Sequence, residues 1–285
     1  MTGEIRRILS FEPLRAKNNS VIILALISSA LYFLVIGIYL GRSAEDINST
    51  FSEFRQIADA GFQEGELPFV GWIKDKTDPA LRSLFANHSP LLGIFFWLAL
   101  MGTPWIVMLV ASDQTASELS RKHIRFILPR VTRRSLFLAR LLSSWISWVV
   151  ISSCSLFLIG MVLLQFGDGE NRDSDYILLL RMIGVLAIYG IPFISMMAFI
   201  NTFIPNAFLS YLLATGAWSV FWVLGAAGAW ISDGFKFFSY LMPTVVKYPL
   251  LSDDPQRFLQ GVGGVAAYSL VFVFLGNLIF SRRDV

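Results

Sequence analysis

Six long apolar runs constrain this chain more than any other feature of it. They cover residues 21–40, 90–111, 141–166, 182–203, 207–232 and 259–281. About 20 apolar residues in a helix cross roughly 30 Å of hydrocarbon, so each run is long enough to span a bilayer. No water serves the backbone there, and only helices or closed barrels satisfy every N–H and C=O. Barrel strands alternate polar and apolar residues, which these continuous runs do not. Composition agrees: of 285 residues, 55% are hydrophobic and 15% charged, where soluble domains carry about 25% charged residues. The predicted fold is all-α integral membrane, a single domain over residues 1–285 with six transmembrane helices.

Basic residues orient the spans, because short cytoplasmic segments collect Lys and Arg. Arg6, Arg7, Arg15 and Lys17 precede the first run, and Arg282 and Arg283 follow the last. Between the second and third runs stand Arg121, Lys122, Arg125, Arg130, Arg133, Arg134 and Arg140. These positions hold thirteen of the 23 basic residues. On the other side, residues 41–89 carry five basic and eight acidic residues, and residues 167–175 one and four. Both termini are therefore predicted to be cytoplasmic, in a multi-pass protein of the cell membrane. The same asymmetry accounts for a pI near 9.1 without nucleic acid as a partner. The first run is too long for a signal peptide, and Gly41-Arg42-Ser43-Ala44 makes a poor cleavage site.

Between the runs, residues 1–17 place Ile5, Ile8, Leu9 and Phe11 among charges, the pattern of an amphipathic helix on the inner surface. Pro13 should end or kink it. The external loop 41–89 is too long for a plain connection. Phe51, Phe54, Ala58 and Phe62 recur in it at helical spacing, and Asp78-Pro79 reads as the start of a second short helix. This loop is either a folded cap or a docking surface for an extracytoplasmic protein. Residues 204–206 leave room only for a tight turn. External residues 233–257 mix Phe235, Phe237, Phe238, Tyr240, Leu241 and Met242 with six charges. Such a segment should dip back into the bundle, a re-entrant arrangement tolerated where protein surrounds it.

Chemistry of several kinds is missing from the chain. It has no phosphate loop, no H-E-x-x-H and no C-x-x-C. The predicted topology puts His88 outside, Cys154 at mid-bilayer and His123 inside, so these cannot share a metal. Cys154 reads as a small buried residue, and Asp253-Asp254 as a solvated turn before Pro255. Arg181 is the one candidate for an intramembrane charge, and its length suits snorkelling to the outer headgroups. Ser143, Ser144, Ser147, Ser152, Ser153, Ser155, Asn201 and Asn277 read as polar groups that join helices. No catalytic set is found, so the chain is predicted not to be an enzyme.

The connector from Asp113 to Arg140 carries seven Lys/Arg against two acids. Glu118 precedes Lys122 by four residues, a favourable helical pair. Ala116, Leu119, Ile124, Ile127 and Leu128 form a ragged apolar face, with Arg121, Lys122 and Arg125 off it. Pro129 ends that helix, and residues 131–134 turn the chain towards the third span. A helix parallel to the membrane fits, serving either as an anchor or as a surface that holds a soluble protein.

These residues resemble the permeases of ABC exporters, the ABC-2-type family. The family carries acids after the second span, an aliphatic pair, a basic turn and a Phe-Arg-Asp-aliphatic ending. Asp113 and Glu118 match the acids, Ile127-Leu128 the pair, Arg130 to Arg134 the turn, and residues 137–141 the start of the third span. Residues 280–285, Phe-Ser-Arg-Arg-Asp-Val, match the ending. Lys122-His123 stands where the family has Gly-Thr, and Pro129 comes two places early. The resemblance covers the whole chain in architecture and is most specific over residues 113–141.

The resemblance implies that residues 113–135 form a coupling segment docking on a separate ATP-binding subunit. Asp113, Glu118, Arg121, Lys122, His123, Arg125, Arg130 and Arg134 would lie at that contact. Two such ATPase chains and a second permease chain, identical or homologous, would complete the exporter. ATP and magnesium would bind the partner, leaving this chain without a cofactor. Gly37-x-x-x-Gly41 would permit close helix contact at the dimer. Two alternatives remain open: a membrane scaffold or enzyme subunit anchoring another cytoplasmic protein, and an ATP-independent secondary transporter. Nothing in the residues selects a substrate.

Overall fold

A computed structural model describes residues 3–6, 8–10, 19–59, 84, 88–116, 131–166, 172–227 and 236–282. The described residues form helices and turns and contain no strand. Six helices are long and apolar enough to cross a membrane, so the chain is an all-helical, multi-pass membrane protein.

The spans begin with α1 (Ser20–Arg42), whose N-cap Asn19 accepts a hydrogen bond from the Val21 amide at 2.9 Å. After a one-residue turn, α2 (Ala44–Asp59) starts with Glu45 and Asp46 in its first turn, where carboxylates complement the helix dipole. The helix expected around Phe51 is therefore real and begins at Ala44, while the one expected at Pro79 lies outside the described residues. The second span is α3 (Pro90–Ala111), with proline at its first turn. It is also the most enclosed span, with Leu91, Leu92, Phe95, Phe96, Ala99 and Val107 fully buried. Tyr32 of α1 donates to the Leu98 carbonyl of α3 at 2.6 Å.

The third span, α4 (Arg133–Leu163), runs 31 residues and starts eight positions before the apolar stretch. Thr132 caps it by accepting from the Ser135 amide at 3.3 Å, so Arg133 and Arg134 form its first turn instead of a loop. The fourth span also starts early and is divided into α5 (Arg172–Tyr189) and α6 (Ile191–Asn201). Pro192, at the start of α6, cannot donate to the Ile188 carbonyl. Two tryptophans of α4 brace the break: Trp148 donates to the Leu186 carbonyl at 2.9 Å and Trp145 to that of Ala187 at 3.0 Å.

A tight turn follows, as the spacing predicts, and Asn206 caps α7 (Ala207–Ala227) by accepting from the Leu209 amide at 3.1 Å. Next come α8 (Lys236–Tyr240), a short 3-10 turn (Pro243–Val246), α9 (Lys247–Leu251) and the last span, α10 (Pro255–Arg282). In the packing, α6 lies along α10, α1 against α3 and α4, and α4 against α5. The exposed faces of α1, α4, α7 and α10 are apolar, including Leu31, Val150, Leu213 and Phe274. Such faces suit contact with hydrocarbon or with another helical chain. Cys154 is exposed on α4, not buried as its mid-span position suggested. Ser144 and Ser152 also depart from expectation: their hydroxyls bond back to Arg140 and Val149 of their own helix. Asn201 does join helices, donating to the Ala111 carbonyl at 3.0 Å.

Candidate functional site

Residues 3–6, the end of α10 and the roots of the basic connector share one end of the bundle, and polar contacts fix where the connector leaves it. Asp113 accepts from the Asn19 side-chain amide at 2.7 Å, tying the end of α3 to the start of α1. Gln114 donates to the Ile194 carbonyl of α6 at 3.2 Å, and Asn201 serves Ala111. Asp113, Gln114 and Asn201 are all buried. These bonds tie the connector root to the first and fourth spans. The return of the connector is held as firmly. Glu4 accepts from the Ser135 hydroxyl at 2.7 Å and from that of Thr132 at 3.3 Å. The Ser135 hydroxyl, above all, holds the Glu4 carboxyl below its usual range. Its negative charge stands at the N-terminus of α4, which otherwise opens on two arginines.

Residues 3–6 and 8–10 are helical, and Ile8 packs on a small apolar cluster of Leu136, Phe137, Ala198 and Phe280. Arg133 donates to the Ser281 carbonyl at 3.2 Å, so the end of α10 is pinned to the same place. Of the residues expected at a partner contact, Asp113 is buried within the bundle and Arg134 is exposed. Glu118, Arg121, Lys122, His123, Arg125 and Arg130 lie outside the described residues. Gly37 faces α4 of its own chain, where a Cβ would approach Ile159 Cγ2 to 2.6 Å. At Gly41 a Cβ would meet Phe166 only at an ordinary 3.8 Å, so the close approach within the chain is at Gly37.

The opposite end holds a polar cluster. His88 Nδ1 lies 2.9 Å from the Ser174 hydroxyl and 3.9 Å from Asp175 Oδ1, and that carboxylate accepts from the Ser89 amide at 3.0 Å. Burial lowers the His88 pKa, with Asp175 acting against that effect. Serine and carboxylate approach the same ring nitrogen, so the three do not form a nucleophile–base–orienter relay. Arg181 does not reach for headgroups. It forms an ion pair with Asp253 and donates to the carbonyls of Leu251 at 2.9 Å and Ser252 at 2.6 Å. Asp254 caps α10 by accepting from the Gln256 amide at 3.0 Å. The acidic pair lies in an exposed turn, as expected, and there serves as a clasp and a cap.

Lys247 is the residue that the reading of span sequences passed over. It sits in a connecting segment, yet its Nζ lies 3.7 Å from Met101 Sδ, about half-way along α3. Comparison of the chain with models of known protein families and with curated proteins finds no match.

Proposed function

We propose that this chain is the membrane subunit of an ATP-driven exporter of the ABC-2 type, moved by a separate ATP-binding subunit. The observation that carries the reading is the way the connector root is wired. Asp113, Gln114 and the Ala111 carbonyl engage α1 and α6 directly, so displacement of residues 113–135 shifts spans rather than a slack loop. The motif match over residues 113–141, six spans and a segment after the fifth span that packs back on the last one support the same reading. The positive-inside rule puts this end of the bundle in the cytoplasm, where nucleotide is found.

In the proposed cycle, nucleotide binding draws two ATPase chains together and moves the connectors of two permease chains as rigid levers. The bundle then exchanges between two packings. Nucleotide biases that exchange only by its differential affinity for the two states. The test is to purify the chain from native membranes under mild detergent and identify the bound proteins. A Walker-motif ATPase is expected to co-purify in stoichiometric amount, and Glu118→Arg to abolish the association. An intact complex with unchanged transport-coupled ATP hydrolysis in the Glu118→Arg protein would overturn the coupling role. Transport driven by an ion gradient without ATP, and abolished by Arg181→Leu, would favour a secondary carrier.

A further inference from the structure

The segment between the fifth and sixth spans carries an ammonium group into the body of the bundle. Gly261 and Gly264 of α10 allow this. A Cβ on Gly261 would lie 3.0 Å from the Leu250 amide nitrogen, and one on Gly264 2.7 Å from Val246 Cγ1. The Leu250 backbone and the Val246 side chain therefore rest directly on α10. Two clasps hold the segment there: Arg181 with Asp253, Leu251 and Ser252 at one end, and the Tyr268 hydroxyl on the Tyr240 carbonyl at the other. Met101, the neighbour of Lys247, lies about 16 Å from the start of α3 at 1.5 Å per residue. Gly264 lies about 13 Å from the start of α10 by the same measure. Two helices independently put Lys247 well below the end of the bundle.

The surroundings of this cation are soft and aromatic. Its contacts among the described residues are the Met101 thioether and the face of the Tyr248 ring, 4.7 Å from Nζ to the centroid. No carboxylate among the described residues pairs with it. Lys247, Tyr248 and Met101 are each only half-buried, whereas Val246, Leu250 and Tyr189 are closed off. Lys247 is thus part-exposed beside fully closed neighbours. A cation at such depth is costly without an anion. A small hydrated anion would lose its own water on entering, but an acid attached to an apolar body offsets that loss by burying the body.

We propose that Lys247 is the head-binding group for an anionic amphiphile, a carboxylate or phosphate carried on an apolar body. The ammonium meets the acid, and the Met101 thioether and the Tyr248 ring take the adjoining methylenes. The assignment rests on the geometry of residues 236–264 and holds whether or not an ATPase drives the protein.

The full-length protein in a neutral detergent provides the test. Phosphatidylglycerol, phosphatidylcholine, dodecanoate and dodecanol are titrated separately, with adducts counted by native mass spectrometry and the melting temperature followed. The anionic member of each pair is expected to bind more tightly and to raise the melting temperature, because a ligand specific for the folded state stabilises it. Lys247→Met should weaken anion binding by about tenfold or more, the scale of a lost charge-assisted bond. Lys247→Arg should keep most of it. Arginine does not shed its proton, so retention also shows that the bound form is cationic. Phosphatidylglycerol binding without dodecanoate binding assigns the head to bilayer phospholipid; the converse assigns it to single-chain acids. Equal binding of charged and uncharged partners by the wild-type protein, or undiminished anion binding by a folded Lys247→Met protein, overturns the proposal.

Discussion

At the scale of single residues, buried polar side chains decide details that apolar patterning leaves open. Trp148 reads in sequence as one more aromatic in an apolar run. In the fold it is fully buried and donates to a carbonyl beside the proline break of the fourth span. Trp148→Phe keeps most of the ring and removes the donor. It should cost about 1–3 kcal/mol from the lost bond and the space left behind, read as a lower melting temperature in detergent. His88 makes a prediction with a sign. Burial depresses its pKa in the folded protein below the ordinary value of 6.5. The unfolded chain therefore takes up protons first as pH falls, and folded stability declines through and below about pH 6.5. His88→Gln, which can still pair with Ser174, should flatten the pH dependence of the melting temperature over that interval. An unchanged slope would remove His88 as its source.

At the scale of elements, the helix boundaries show where sequence reading stops. Hydropathy finds each span but starts the third at residue 141, although the helix begins at Arg133. The reason lies outside the span: Thr132 caps it, and Glu4, distant in sequence, supplies the negative charge that two arginines at a helix N-terminus call for. Asn19 has a similar double role, capping α1 and holding Asp113. Asn19→Ala should cost about 1 kcal/mol through the cap alone. It should also reduce coupling between nucleotide hydrolysis and transport if Asp113 transmits motion. A variant that melts lower but couples normally would confine Asn19 to a structural part. The segment between the fifth and sixth spans depends on small residues of α10. Gly264→Val puts a branched side chain where Val246 now rests, and should release the segment, read as faster protease cleavage within residues 236–252.

For the whole molecule, six apolar helices describe a membrane protein but not which way it faces. Charge asymmetry predicts that the end bearing Glu4, Asp113 and Arg134 is cytoplasmic. The chain is convenient for testing this, because Cys154 is its one cysteine. With Cys154→Ala as background, Arg134→Cys should react with a membrane-impermeant maleimide only in inside-out vesicles. Ser49→Cys, in α2 at the other end, should react only in right-side-out ones. The reverse pattern would expose the connector to the outside and end the exporter proposal, while leaving the Lys247 site to be judged by its own binding data.

What the sequence determines by itself is local and additive. Length and apolarity of each run set the number of spans, basic residues predict their direction, and Asn206 or Pro90 mark helix starts, since each of these signals lies within a few residues of its effect. What the tertiary structure decides is which distant polar groups meet. Arg181 looks like a snorkelling side chain until α9 and α10 bring Asp253 and two carbonyls to it. Gly37 looks free for a partner until Ile159 of α4 covers it. Lys247 looks like a loop residue until Gly261 and Gly264 let its segment settle inside the bundle. Such meetings depend on close approach of segments far apart in the chain, and no periodicity along the chain encodes them.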